Sequence, residues 1–164
     1  ADCMSTSRTV SIVAPNQGEM VDMLFDRYRF LATSETTNGG YAVIEAFVPP
    51  GGGPPPHVHS REEEGFYILE GEMTFRAEGR EIRLAAGGFI NLPVGVKHSF
   101  RNESDQPVRM LIFVAPSGIE RMFRQAGRAV SDQDAPIAPF DDSDVEQVVK
   151  AAADHGITIT LPPA

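Results

Sequence analysis

The stretch HVHSREEEGFYILEG, residues 57–71, combines two histidines and three consecutive glutamates with the apolar alternation of a β-strand. Side chains alternate across a strand, so His57 and His59 point to the same face. Glu64 shares its parity with the apolar Phe66, which places it on the buried face of the strand that follows. Because imidazole nitrogens and carboxylate oxygens suit divalent first-row metals, this stretch predicts three ligands of a metal site.

The two neighbouring glutamates compete with Glu64 for the carboxylate role. Glu63 is the alternative ligand, whereas Glu62 precedes the strand and is interpreted as part of a solvated acidic face. His98 follows a Pro-Val-Gly turn at residues 93–95 and would supply a ligand from a later strand. The predicted metal ligands are therefore His57, His59, Glu64 and His98.

The surrounding sequence, up to about residue 116, consists of short β-branched and aromatic runs separated by Gly, Pro, Asn and Asp. This pattern predicts an all-β fold, either a sandwich or a closed barrel, because both architectures hide sheet edges. Residues 78–80 are predicted to form a hairpin turn. The predicted strands are residues 9–13, 20–33, 40–48, 64–69, 72–77, 81–84, 88–92, 98–102 and 108–114.

After the β region the apolar period becomes helical. Ser117 with Glu120, and Ser143 with Glu146, form two capping-box patterns that each precede an amphipathic run. We therefore expect two short C-terminal helices. Residues 157–161 alternate again and predict a last strand or an extended tail that lies against the barrel or a partner.

Several other residues have structural interpretations. Asn102 is expected to stabilise a turn, and His155 is expected to end the second helix without contacting a metal. Cys3, the single cysteine, cannot form an internal disulfide. The expected core side chains are Phe66, Phe75, Phe89, Phe100 and Met73.

Two spacings in the chain resemble the consensus motifs of the cupin superfamily. They read Gly51-x5-His57-x-His59-x4-Glu64-x6-Gly71 and Gly87-x5-Pro93-x-Gly95-x2-His98-x3-Asn102. The resemblance implies an all-β, double-stranded β-helix (jelly-roll) barrel with short C-terminal helices. It also implies that one divalent metal ion is held by His57, His59, Glu64 and His98.

We expect one domain with three parts. Residues 1–34 would supply N-terminal strands that complete the barrel or a dimer. Residues 35–116 would form the cupin barrel core with both metal motifs. Residues 117–164 would form the C-terminal helices and tail.

The chain is also similar to a narrower group, the bacterial monocupins related to quercetin 2,3-dioxygenase. The shared marks are PPPHVH at residues 54–59, EGFYILEG at residues 64–71 and GIERMF at residues 118–123. This similarity implies a metal-dependent dioxygenase that acts with O2 on an enolic or aromatic small molecule, with Glu64 as general base. The same ligands also suit non-redox isomerase, lyase or hydrolase chemistry, or a non-catalytic cupin that binds a small molecule. Nickel, manganese, iron, cobalt, zinc and copper all accept such a ligand set.

Composition narrows the expected partners and location. The 164-residue chain has a formal net charge of -9 and only 14 Lys and Arg, which argues against nucleic-acid binding. Its longest strongly apolar run, residues 110–115, is too short to span a membrane. A single cysteine fits a cytoplasmic protein. Besides a small-molecule substrate, we expect a second copy of the chain as partner, in a homodimer formed through the N-terminal strand region and the apolar tail.

Overall fold

Two antiparallel β-sheets enclose the apolar core of the protein. The computed structural model describes residues 8–163. Its strands are β1 (Met20–Met23), β2 (Asp26–Ala32), β3 (Ala42–Val48), β4 (His57–His59), β5 (Glu63–Glu70), β6 (Glu72–Ala77), β7 (Arg80–Ala85), β8 (Phe89–Leu92), β9 (His98–Arg101), β10 (Val108–Ala115), β11 (Arg128–Ala129) and β12 (Ile157–Ile159). Its helices are α1 (Ser34–Thr37), α2 (Ile119–Ala126) and α3 (Asp142–Asp154).

The sheets have seven and five strands, in the orders β11-β1-β2-β3-β10-β5-β8 and β12-β4-β9-β6-β7. Strand β3 illustrates how each sheet turns one face toward the core. Alternate residues of this strand are buried, namely Ala42, Ile44, Ala46 and Val48, and the residues between them are only half-buried. One face of the sheet therefore lies on the core. The expected all-β double-stranded β-helix with short C-terminal helices is confirmed.

The hairpin between β6 and β7 confirms the predicted turn. Ala77 pairs with Arg80, which leaves Glu78 and Gly79 as a two-residue loop. Their φ angles are 53° and 70°. Two positive φ angles give a turn whose twist matches that of the flanking strands.

Two predictions near the N-terminus are wrong. Residues 9–13 were expected to form a strand but belong to none, because no segment within residues 8–163 pairs with their backbone. The predicted strand at residues 20–33 divides into β1 and β2. The chain reverses at Leu24, whose φ is 55°, so that Met23 pairs with Asp26.

Both C-terminal helices form, but each begins away from its predicted cap. Helix α2 begins after Gly118, and Glu120 accepts a hydrogen bond from the Gly118 backbone nitrogen at 2.9 Å. Helix α3 begins after Asp141, whose carboxylate accepts a hydrogen bond from the Asp144 nitrogen at 3.1 Å. A carboxylate therefore caps α3 in place of the expected serine, whereas no side chain caps α2. The predicted caps were Ser117 and Ser143.

The end of the chain returns to the barrel. Strand β12 pairs with β4, with Ile157 opposite His59, which confirms the predicted last strand although it ends at Ile159. Helices α2 and α3 contribute buried apolar side chains to the same core. None of the helices within residues 8–163 is long and apolar enough to cross a lipid bilayer.

Four of the five expected core side chains are buried. Phe89 is the exception, with 56% of its surface exposed. It pairs with Tyr67 on the outer face of the larger sheet, and its ring lies beside Gly65. The signal was the polar Asn91, because residues 89 and 91 point to the same side of a strand. Cys3 lies outside the described residues, and the three-part division of the chain stays a prediction.

Candidate metal centre

Four buried side chains from three strands converge between the two sheets. His57 and His59 lie on the inward face of β4, and His98 lies opposite His57 on β9. Glu64 comes from β5 in the other sheet. One ligand atom from each residue lies within 4.8 Å of the others, and no member is more than 8% exposed. The structure thus brings together the four residues predicted as metal ligands.

The three imidazoles are oriented by their Nδ1 atoms. Nδ1 of His57 lies 2.9 Å from the Pro55 carbonyl oxygen, and Nδ1 of His98 lies 3.0 Å from the Val96 carbonyl oxygen. Because a carbonyl only accepts hydrogen bonds, both Nδ1 atoms carry the proton. The Nε2 lone pairs of these rings are then free to bind a metal.

The Nε2 atoms meet the carboxylate of Glu64. Its Oε1 lies 3.1 Å from Nε2 of His98 and 3.5 Å from Nε2 of His59. Within the described part of the chain, the buried Nε2 of His59 has no hydrogen-bond partner. A buried polar atom without a partner is costly, and a metal ion would satisfy it. The donor set and this unpartnered nitrogen both fit a divalent transition metal.

The pKa values favour the ligand forms of two members. Burial, followed by the electrostatic interaction with His98, lowers the pKa of His57 to about 4. Burial alone would raise the pKa of Glu64, but its contact with His98 and its electrostatic interaction with His59 outweigh burial, so this pKa is lowered. At neutral pH His57 is therefore neutral and Glu64 is ionised, as metal ligands must be.

The sequence interpretation of Glu62 is wrong. It was assigned to a solvated face, but it is only 6% exposed, and its Oε1 lies 2.7 Å from Nδ1 of His59. The cause is the bend between β4 and β5, which turns this carboxylate inward. The signal was its parity, because residues 62 and 64 point to the same side of an extended chain.

Glu63, the alternative ligand, lies outside the cluster. Its carboxylate is exposed and accepts hydrogen bonds from Asn91 Nδ2 at 2.8 Å and from the Val94 backbone nitrogen at 3.0 Å. These bonds tie β5 to β8 and to the turn that follows it. The structure thus separates the roles of three adjacent glutamates.

An apolar cavity of about 60 Å³ borders the cluster. Its walls come from both sheets, from α2 and α3, and from β12. Its lining contains no Lys or Arg among the described residues. The lining residues are Met23, Leu24, Pro54, Pro55, His57, His59, Glu64, Phe66, Phe100, Ile112, Ile119, Met122, Phe123, Val148, Ile157 and Ile159.

Two further residues behave as the sequence suggested. Asn102 is fully buried and donates hydrogen bonds to the carbonyl oxygens of Val48 and Gln106, at 3.0 and 2.8 Å. It therefore stabilises the loop after β9. His155 ends α3, and its Nε2 lies 3.0 Å from Oε1 of Gln125, so it is not a member of the cluster.

Comparisons with known proteins agree with this geometry. Residues 45–114 match the family described as "Cupin domain". Quercetin 2,3-dioxygenase of Bacillus subtilis is 32% identical over 112 residues, which cover 68% of this chain and 33% of that protein. The match therefore spans about one third of the length of this relative.

Two solved structures share the fold. One is a predicted oxalate decarboxylase from Thermotoga maritima, with a TM-score of 0.59 and 21% identity over 65% of this chain and 99% of that chain. The other is an RmlC-like cupin from Shewanella frigidimarina, with a TM-score of 0.59 and 20% identity over 70% of this chain and 96% of that chain.

Proposed function

This chain belongs to the cupin superfamily, and from that premise we propose that it is a mononuclear metal-dependent dioxygenase acting on an enolic or aromatic small molecule. The observation that carries the proposal is the buried cluster of three histidines and one glutamate beside an apolar cavity. The similarity to a quercetin 2,3-dioxygenase supports the choice of oxygen chemistry.

His57, His59, Glu64 and His98 would hold the metal. A divalent ion there would supply Lewis acidity and open coordination positions for a substrate oxygen and O2. Nickel, manganese, iron, cobalt, zinc and copper remain candidates, since all accept nitrogen and carboxylate ligands.

Glu64 is the proposed general base. It is ionised, it is 4% exposed, and it borders the cavity, so its free oxygen can accept the proton of a substrate hydroxyl. Phe66 and Phe100 supply aromatic surface beside it. These apolar walls limit the water in the cavity, which strengthens electrostatic interactions within it.

Substrate entry would require movement of the C-terminal elements that line the cavity, which are α2, α3 and β12. A cavity of about 60 Å³ holds only a few water molecules, whereas sites for drug-sized ligands enclose at least about 300 Å³. Helix α2, helix α3 and the three-residue strand β12 contribute part of the cavity wall. Their displacement would admit a planar aromatic compound.

A second candidate is a cupin that works without redox chemistry or without catalysis. Glu64 is the only carboxylate that lines the cavity among the described residues, so a second acid or nucleophile is lacking there. This observation favours binding of a small molecule, or isomerase, lyase or hydrolase chemistry that needs one base.

Oxygen uptake separates these functions. The metal-reconstituted protein is mixed with flavonols and other enolic compounds while dissolved O2 is measured. Uptake that depends on both metal and substrate supports the dioxygenase. Turnover under anaerobic conditions supports non-redox catalysis, and binding without product supports the binding module.

A Glu64→Gln variant tests the general base, with Glu63→Gln as the matched exposed control. We expect the first variant to lose at least about 100-fold in turnover and the second to stay near wild type. Full turnover in a metal-loaded Glu64→Gln variant would remove the base from the proposal.

We further propose a second copy of the chain as partner. The arm at residues 8–14 has a strand-like pattern, yet Val10 and Ile12 are 86% and 83% exposed. The outer face of the larger sheet exposes Tyr67, Phe89 and Phe113. Each copy thus offers an arm without a strand partner among residues 8–163 and an apolar outer face, and two copies can pair them reciprocally.

Light scattering after size-exclusion chromatography tests this partner. The wild-type protein should elute with twice the 17.8 kDa mass of one chain. Replacing Val10 and Ile12 together by aspartate should give monomers, whereas Val94→Asp, in an exposed loop, should not. A monomeric wild-type protein would contradict the proposal.

A further inference from the structure

We propose that Glu62 is a positioning residue for the metal site, acting through His59 without binding the metal itself. The inference rests on the proposed metal binding. Oε1 of Glu62 lies 2.7 Å from Nδ1 of His59, and the two side chains are only 7% and 3% exposed. A buried carboxylate in contact with a ligand imidazole fixes its tautomer and strengthens its opposite nitrogen as a metal ligand.

His59 differs from the other two histidines in this contact. Nδ1 of His57 and Nδ1 of His98 each meet the carbonyl oxygen two residues earlier, at Pro55 and Val96. A carbonyl is neutral, whereas the partner of His59 is a side-chain carboxylate. Hydrogen bonds to charged acceptors are shorter and stronger than those to neutral ones. Nε2 of His59 is therefore expected to be the most basic of the three imidazole nitrogens that would bind the metal.

The carboxylate also settles which nitrogen of His59 faces the cluster. With the Nδ1 proton directed at Glu62, the lone pair lies on Nε2, the buried atom that has no hydrogen-bond partner within the described chain. Nε2 lies 3.5 Å from Oε1 of Glu64, on the side where the metal ligands meet. Loss of the Glu62 carboxylate would remove the contact that orients the His59 ring. It would also remove the electron density that the carboxylate adds to Nε2.

The bend that carries Glu62 is anchored by the C-terminal segment. Ser60 donates two hydrogen bonds to the Gly156 carbonyl oxygen, from its backbone nitrogen at 2.9 Å and from its Oγ at 2.6 Å. Gly156 has a φ of 74°, which side chains rarely adopt, and a Cβ there would lie 2.6 Å from Ser60 Oγ and 2.8 Å from Arg61 Nε, so glycine suits this close approach. The junction of α3 and β12 thus holds the turn from which Glu62 reaches His59.

Cobalt binding to the full chain tests this role. Apo protein is titrated with Co²⁺ in competition with a chromophoric chelator, and thermal melting of the apo forms reports any loss of folding. Glu62→Gln keeps the size and an acceptor oxygen but removes the charge. Glu63→Gln is the matched control, because that adjacent carboxylate is exposed and lies outside the cluster.

We expect Glu62→Gln to weaken Co²⁺ binding by about 10- to 100-fold at unchanged apo melting temperature, and Glu63→Gln to change it by less than about twofold. The visible bands of bound Co²⁺ should shift only in the first variant. Affinity within about twofold of wild type in Glu62→Gln would overturn the proposal. A wild-type protein that binds no Co²⁺ would instead overturn the proposed metal site, and this role with it.

The role of Glu62 can also be tested in the wild-type protein, without any variant. In the Zn²⁺-loaded protein, nuclear magnetic resonance of the imidazoles should show the Nδ1 proton of His59 at lower field than those of His57 and His98, because its acceptor is charged. Three equivalent Nδ1 protons would contradict the role of Glu62.

Discussion

Replacing Asp26 by asparagine should change how the stability of the protein depends on pH. Asp26 begins β2, is 2% exposed, and accepts a hydrogen bond from the Tyr28 hydroxyl at 3.2 Å on Oδ2. Its Oδ1 has no hydrogen-bond partner within residues 8–163. Burial raises the pKa of Asp26 from 3.8 to about 7, and hydrogen bonds from Tyr28 and the Gly53 backbone offset only part of that effect.

The direction of the pH effect follows from proton binding. Between pH 3.8 and about 7 the folded state holds a proton on Asp26 that the unfolded state has released. The free energy of unfolding therefore falls as pH rises through this window, and the loss is complete above pH 7. A shift of about three pKa units corresponds to about 4 kcal/mol, of which about 3 kcal/mol is lost between pH 5 and pH 8.

Urea unfolding of the apo protein at pH 5 and at pH 8 measures the effect. Histidines and other carboxylates titrate in both proteins, so the useful quantity is the difference between Asp26→Asn and wild type. The variant should gain about 3 kcal/mol relative to wild type on going from pH 5 to pH 8. Asp105→Asn, at an exposed position, should gain nothing. A relative gain below about 0.5 kcal/mol for Asp26→Asn would refute the reasoning.

Three further substitutions test contacts that stabilise the fold. Glu120 is fully buried and accepts hydrogen bonds from the Ser34 backbone nitrogen and hydroxyl, both at 2.6 Å. Glu120→Ala should lower the unfolding free energy by about 3 kcal/mol, and a loss below about 1 kcal/mol in urea unfolding would count against this. Gly53 has a φ of 129°, and a Cβ there would overlap the Phe100 carbonyl oxygen, so Gly53→Ala should cost more than about 3 kcal/mol. At Gly51, with a φ of 83° and no atom within 4 Å, alanine should cost only about 1 kcal/mol, and equal losses in thermal melting would contradict the steric explanation.

The pairing of His57 with His59 and the choice of Glu64 could be predicted from sequence because strand alternation is local, whereas the convergence of His98 on them was implied by the resemblance to the cupin motifs. Strand alternation places His57 and His59 together, and the same rule applied one step further relates Glu62 to Glu64. Glu62 was missed because an acidic run before a strand is normally solvated. Its parity with Glu64 was the available signal, and the bend between β4 and β5, anchored from Gly156, brings this carboxylate to His59.

Other features depend on contacts between distant segments. The pairing of β12 with β4 joins residues about one hundred positions apart, and no local pattern specifies that register. The arm at residues 8–14 has the pattern of a strand but no partner within the described chain. Asp26 resembles an ordinary turn residue in sequence, yet it is buried beside Tyr28 and Gly52. Tertiary packing decides these cases, not propensity.

The decisive measurement is the metal content of the protein after reconstitution, determined by elemental analysis beside a His57→Ala, His98→Ala double variant. We expect about one equivalent of a divalent transition metal per wild-type chain and less than about one tenth of an equivalent in the variant. The apo melting temperatures of both proteins establish that the variant is folded. Substoichiometric metal in the wild-type protein, or full retention in the double variant, would contradict a metal site built from these four residues.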